Sequence, residues 1–145
     1  MFSLLDKHYA ERARLLLLGR YAELARHYRL PLLARMSGLD VIVETVEDME
    51  LHLRRHHVSL LRRGVAAMVP EIMAADLPCR PTQRVWVRWH EMGRQGSDLR
   101  QSEVVYTGPT DNSGALISGM EYLQLAMPEF SRPGTYRSLN RTRKG

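Results

Sequence analysis

The chain has 145 residues, 44% of them apolar and 26% charged, with a formal net charge of +5. That length fits one domain whose core needs no metal or disulfide, and the single Cys79 excludes a disulfide framework. The charge excess lies in residues 130–145, where Arg132, Arg137, Arg141, Arg143 and Lys144 occur without an acid; 1–129 keeps 16 basic against 16 acidic residues. A neutral body with a basic tail does not point to nucleic-acid binding, which calls for a basic domain face. The expected organisation is one domain over 1–129 and a flexible, solvated tail over 130–145.

Residues 3–18 read as a helix. Ser3 can cap it, and Asp6 stands at the capping-box position. Leu5, Tyr9, Ala13, Leu16 and Leu17 share one face. Asp6, Lys7, Glu11, Arg12 and Arg14 interrupt every apolar run before Leu15, so the start reads neither as a signal peptide nor as a membrane span. A cytoplasmic setting is expected. Gly19 breaks the helix. A second helix over 20–29 places Tyr21, Leu24, Ala25 and Tyr28 at i, i+3, i+4 and i+7, and Pro31 ends it.

PLLARM and DVIVET are short strand candidates around the Ser37-Gly38 turn. Thr45 opens a third helix with Asp48 three residues on, and the helix runs to about Arg63 and stops at Gly64. In VAAMVPEIMAADLPC, Pro70 and Pro78 argue for an edge or bulged strand. QRVWVRWHEM, LRQSEVVYTG and ALISGMEYLQL alternate with period two and are joined by the turn-rich GRQGSD and PTDNSG. They read as an antiparallel meander. Pairing Met92 with Leu99 puts Val85, Val87 and Trp89 on one face with Tyr106, Val104 and Ser102, and sets Glu91 against Arg100. The opposite face then joins Arg88 to Glu103 and Trp86 to Val105. One apolar face and one charged face are what a half-buried sheet requires.

The third helix carries LHLRRHHVSLLRRG, with three histidines and four arginines in fourteen residues. Counted at about 100° per residue from Val46, Met49, Leu53, Leu60 and Leu61 form an apolar stripe with His57 inside it. His56 falls on the border, and His52 turns toward solvent near Arg63. His52 and His56 have i, i+4 metal spacing, but the sequence between them is Leu-Arg-Arg rather than Glu-x-x, and no third ligand is suggested. No metal is expected. The arginines alternate with Glu47, Asp48 and Glu50, which describes a solvated face. His57 is the histidine that must find a hydrogen-bond partner in the core or serve a pocket.

Two short helices, two small strands, a third helix and a long antiparallel meander resemble the NTF2-like superfamily. AELARHYRLPLL resembles that family's second helix running into a proline-led strand, and VWVRWHEMGRQG with SEVVYTGPTDNSGALISGMEYLQLAMPE resembles its paired late strands. The resemblance covers about 1–129. It implies an α+β, cystatin-like cone, with three helices from the N-terminal half packed on a curved antiparallel sheet and a pocket between them. It also implies a bacterial homodimer formed through the outer sheet face. The pocket would be lined by Tyr9, Tyr28, His57, Trp89, Tyr106, Ser118, Met120 and Tyr122, and would take a small apolar or amphipathic ligand without a cofactor. Some members of the superfamily are ketosteroid-isomerase or SnoaL-type enzymes, for which His57, Tyr9 and Glu121 are the acid–base candidates here. That chemistry needs a carboxylate base, and PLLARM, where the resemblance would place one, has none. Glu121 alternates with Ser118, Met120 and Tyr122 and is expected outward; inverted, it would be a buried base. A third possibility is an interaction module that uses Trp86 and Val105 on the outer sheet face.

Overall fold

The computed structural model describes residues 3–36, 38–77, 79–110 and 116–124. Ser37 of the expected turn, Pro78, residues 111–114 of the PTDNSG loop and the tail 130–145 lie outside the described residues, and so does the Ser3 side chain. The elements are α1 (Ser3–Leu17), α2 (Tyr21–Ala25), β1 (Tyr28–Met36), β2 (Leu39–Val43), α3 (Val46–Arg62), β3 (Val65–Ala75), β4 (Thr82–Gly93), β5 (Asp98–Pro109) and β6 (Ile117–Gln124). Three helices lie on one curved, unclosed sheet ordered β2-β1-β6-β5-β4-β3. The fold class is α+β.

Local chemistry accounts for the element ends. The Asp48 N–H donates to the Thr45 hydroxyl at 3.1 Å, capping α3. Gly64 ends that helix at φ +77°, where a Cβ would be strained. Pro70 is accommodated because β3 is the last strand of the sheet, and its pairing with β4 shifts register twice.

The β4–β5 ladder has the expected register. Val85 pairs with Tyr106, Val87 with Val104, Trp89 with Ser102 and Glu91 with Arg100, while Trp86 pairs with Val105 and Arg88 with Glu103. The first three pairs are buried. Arg88 and Glu103 form an ion pair at 3.2 Å on the other face. Only the end differs: the register shifts after Glu91, so Met92 faces Asp98 instead of Leu99.

Two expectations are corrected. The second helix stops at Ala25, and Tyr28 opens β1. Tyr28 pairs with Ile117, whose N–H donates to the His27 carbonyl at 2.8 Å, so sheet pairing takes the segment from the helix. Pro31 falls where the β1–β6 register shifts, between Tyr28 and Leu33, and is tolerated there. The sheet is also not wholly antiparallel, because β1 runs parallel to β6. This pairing brings the first and last described strands together inside the sheet.

Candidate functional site

A cavity of about 40 Å³ lies between the helices and the inner sheet face. Arg12, Ala13 and Leu16 of α1 line it, with Leu24 of α2 and His52, Leu53 and His56 of α3. Tyr28, Met68, Trp89, Tyr106, Met120 and Tyr122 supply the sheet side. That volume is far below the roughly 300–1,000 Å³ of an ordinary ligand pocket. It suits a ligand of a few heavy atoms, or one end of a longer molecule.

Arg12 is the least expected member. It is only 4% exposed. Its guanidinium lies 4.5 Å from the Tyr28 ring centre and 5.8 Å from those of Tyr9 and Tyr106. Such contacts favour a cation, yet Arg12 has no ion-pair partner among the described residues, and its buried Nη1 makes no hydrogen bond. The aromatic wall is otherwise rigidly set. Trp89 donates its indole N–H to the Tyr106 hydroxyl at 2.8 Å, and the Tyr9 ring centre lies 4.9 Å from that of Tyr106. Burial pushes both tyrosine hydroxyls above their usual pKa, so they stay protonated and available as donors.

The histidines of α3 are placed differently from expectation. His52 is 2% exposed and lines the cavity with His56, so it is not solvated surface. Val46 and Leu61, which pulled the expected stripe toward themselves, are 50% and 60% exposed. The inward face instead runs through Met49, His52, Leu53, His56 and Leu60, turned by roughly 70°. Burial, then the Arg55 charge, pushes His52 down to about 4. Burial, then His52, Arg63 and His57, pushes His56 down to about 3. Both rings are neutral at pH 7.

The proposed pocket residues divide accordingly. Tyr28, Trp89, Tyr106, Met120 and Tyr122 come together on the cavity wall. Tyr9 lies against Tyr106 with its ring tilted by 39°. The Nδ1 of His57 lies 2.6 Å from the Tyr21 hydroxyl, which binds it to α2 rather than to the cavity. Ser118 donates to the Thr107 carbonyl at 3.3 Å and faces the outer side of the sheet. Glu121 is exposed on that outer side, since its partner is Val105 while the inward Met120 pairs with Tyr106. The inverted reading of Glu121 as a pocket base is thereby corrected. His57, Tyr9 and Glu121 do not converge on one point.

Arg12, His52 and His56 were missed as cavity residues, although the signal was in the spacing. Tyr9, Arg12, Ala13 and Leu16 stand at i, i+3, i+4 and i+7, and all four are buried. Reading Arg12 only as a break in the apolar run, and His52 as turned to solvent, hid the pattern. Among the described residues, no group of three or more His, Cys, Asp or Glu could hold a metal ion, and no helix is long and apolar enough to cross a membrane.

The outer sheet face carries a broader groove of about 420 Å³. Leu33, Arg35, Arg84, Trp86, Val105, Glu121 and Leu123 are among its walls. The Arg84 guanidinium lies 4.9 Å from the Trp86 ring centre.

No protein-family model matches the chain, and no curated protein does. Solved structures do. Aln2 from a Streptomyces species is 12% identical with a TM-score of 0.62, over 90% of this chain and 95% of that one. A cystatin-like domain of unknown function from Nostoc punctiforme is 10% identical with a TM-score of 0.63, over 88% and 79%. An NTF2-like protein of unknown function from Shewanella oneidensis is 8% identical with a TM-score of 0.61, over 83% and 96%. At these identities the likeness is one of fold. The chain therefore has the NTF2-like, cystatin-like fold.

Proposed function

We propose that the protein binds a small amphipathic molecule in the inner cavity and performs no acid–base chemistry on it. The observation that carries this reading is the makeup of the wall: aromatic and apolar side chains with a few polar groups, the pattern of small-molecule sites. A general base works best with a pKa near the working pH, and His52 and His56 are held near 4 and 3. No carboxylate lines the cavity among the described residues. The buried carboxylate nearby, Glu91, is engaged by Arg63.

Ala13→Leu tests the reading by filling the space from α1. Propionamide, a small neutral amphipathic probe, is expected to raise the thermal midpoint of the wild-type protein saturably at millimolar concentrations. The folded Ala13→Leu protein, with unchanged circular dichroism, is expected to show no such rise. Equal shifts in both proteins would place binding elsewhere and overturn the reading.

The same reading includes a homodimer in a bacterial cytoplasm. The outer groove, with Trp86 half-buried and Leu123 exposed at its walls, supports a second copy as occupant. Trp86→Glu is expected to convert the dimer to a monomer in light scattering at micromolar concentration. An unchanged mass would remove this face from the assembly.

A further inference from the structure

We infer that the cavity takes an anion, a small carboxylate whose oxygens sit on Arg12 while its apolar end lies among Leu16, Trp89 and Met120. The inference rests on the cavity being a ligand site and names the class of ligand. Its basis is a guanidinium that the fold buries and leaves incompletely satisfied. Arg12 is 4% exposed, lines the cavity, and keeps an unpartnered Nη1. A buried cation is costly unless it is paired and hydrogen-bonded. The Tyr9, Tyr28 and Tyr106 faces offset part of that cost, but they cannot accept the in-plane N–H bonds of the fork.

No carboxylate among the described neighbours pairs with Arg12. On α1, one turn before Arg12, stands His8. Its ring stacks at 5.8 Å on that of His27, which lies between α2 and β1. His8 Nε2 and His27 Nδ1 are also buried without hydrogen-bond partners. Burial and then the Arg12 charge lower the pKa of both rings, that of His8 to about 4. Glu11 and Glu23 act on His27 in the opposite sense, yet Glu11 is bound to Arg14 and Glu23 to Arg20 on the surface. From α3 the cavity receives neutral His52 and His56, and from the sheet only phenols, an indole and thioethers. The site thus has a fixed cation and hydroxyl donors, and no carboxylate among its described walls. A planar carboxylate matches the guanidinium fork in two parallel bonds, and the small volume limits the body to a short chain.

Propionate and propionamide share one shape and differ in charge, so the pair separates the two claims. Binding is read from the Trp89 indole N–H resonance at constant ionic strength and pH 7. The wild-type protein is expected to bind propionate at least roughly tenfold tighter than propionamide, and Arg12→Met to bind both alike. Propionate is also expected to raise the pKa of His8 and His27 in the wild-type protein, because the anion offsets Arg12; propionamide leaves them unchanged. That second readout holds even if Arg12→Met does not fold. If propionamide binds as tightly as propionate, the anion assignment is overturned while the ligand site stands. Binding of neither removes the ligand site and the inference together. Displacement of propionate by equimolar inorganic phosphate would show a tetrahedral-anion site and overturn the carboxylate.

Discussion

An Arg63→Met protein is expected to be about 3–5 kcal/mol less stable than the wild type in urea unfolding, the cost of leaving a buried charge unpaired. Glu91 is 1% exposed on the inner face of β4, and its two oxygens receive Arg63 Nη1 at 2.5 Å and Nη2 at 3.4 Å. Arg63 is itself oriented by Ser59, whose hydroxyl accepts from Nε at 3.4 Å. The pair ties the C-terminal end of α3 to the sheet at the point where β4 meets β3. Adding Glu91→Gln to Arg63→Met is expected to restore much of the loss, because the second change removes the stranded charge. A single variant within about 0.5 kcal/mol of wild type, inside the ordinary range for surface changes, would show that Glu91 finds water or another partner.

Mild acid is the second large perturbation. The unfolded histidine value is 6.5, while folded His52 and His56 are held near 4 and 3. Below pH 6.5 the unfolded chain takes up protons that the native state refuses. The stability contributed by keeping these rings neutral is thus full above pH 6.5 and declines as pH falls through 6.5 toward the folded values. From pH 7 to pH 5 each ring is expected to remove about 2 kcal/mol. His8, held near 4 by burial and then Arg12, acts in the same direction. His90 opposes, since the Glu71 hydrogen bond raises its pKa from the outer face. Urea midpoints at pH 7, 6 and 5 check the sum. A His52→Asn, His56→Asn protein is expected to lose most of the slope, and equal midpoints for the wild type at pH 7 and 5 would contradict rings held neutral by the fold.

Much of the fold was legible because its determinants are local or strictly periodic. Thr45, Asp48 and Gly64 bound α3 by hydrogen-bond chemistry that needs no distant partner. The β4–β5 register followed from alternation, since one residue of slip would have buried Arg88 and Glu103. Tyr28 was misread because four apolar positions at helical spacing cannot register a strand that arrives ninety residues later; Ile117 decides it through the β1–β6 pairing. The mixed sheet was hidden for the same reason.

The candidate site was legible on its sheet side and misjudged on its helix side. Trp89 and Tyr106 followed from period-two alternation, and Met120 and Tyr122 from the family resemblance. Ser118 was misplaced, because Ile117 and Met120 are both buried, which breaks the alternation at the start of β6. On α3, the exposed Val46 and Leu61 pulled the expected apolar stripe off its true axis. His57 sits among apolar neighbours in sequence but meets Tyr21, whereas His52, His56 and Arg12 look like surface residues and face inward. A buried Arg or His is stabilised by partners that the linear sequence does not show, here tyrosine rings from three separate elements.

The chain's two tryptophans provide the most direct test of the central claim, that the inner cavity is the binding site. Trp89 is in the cavity wall and Trp86 lines the outer groove. In a titration with propionamide, the Trp89 indole N–H signal is expected to move saturably while that of Trp86 stays in place. Movement of the Trp86 signal alone, or of neither, would contradict the account.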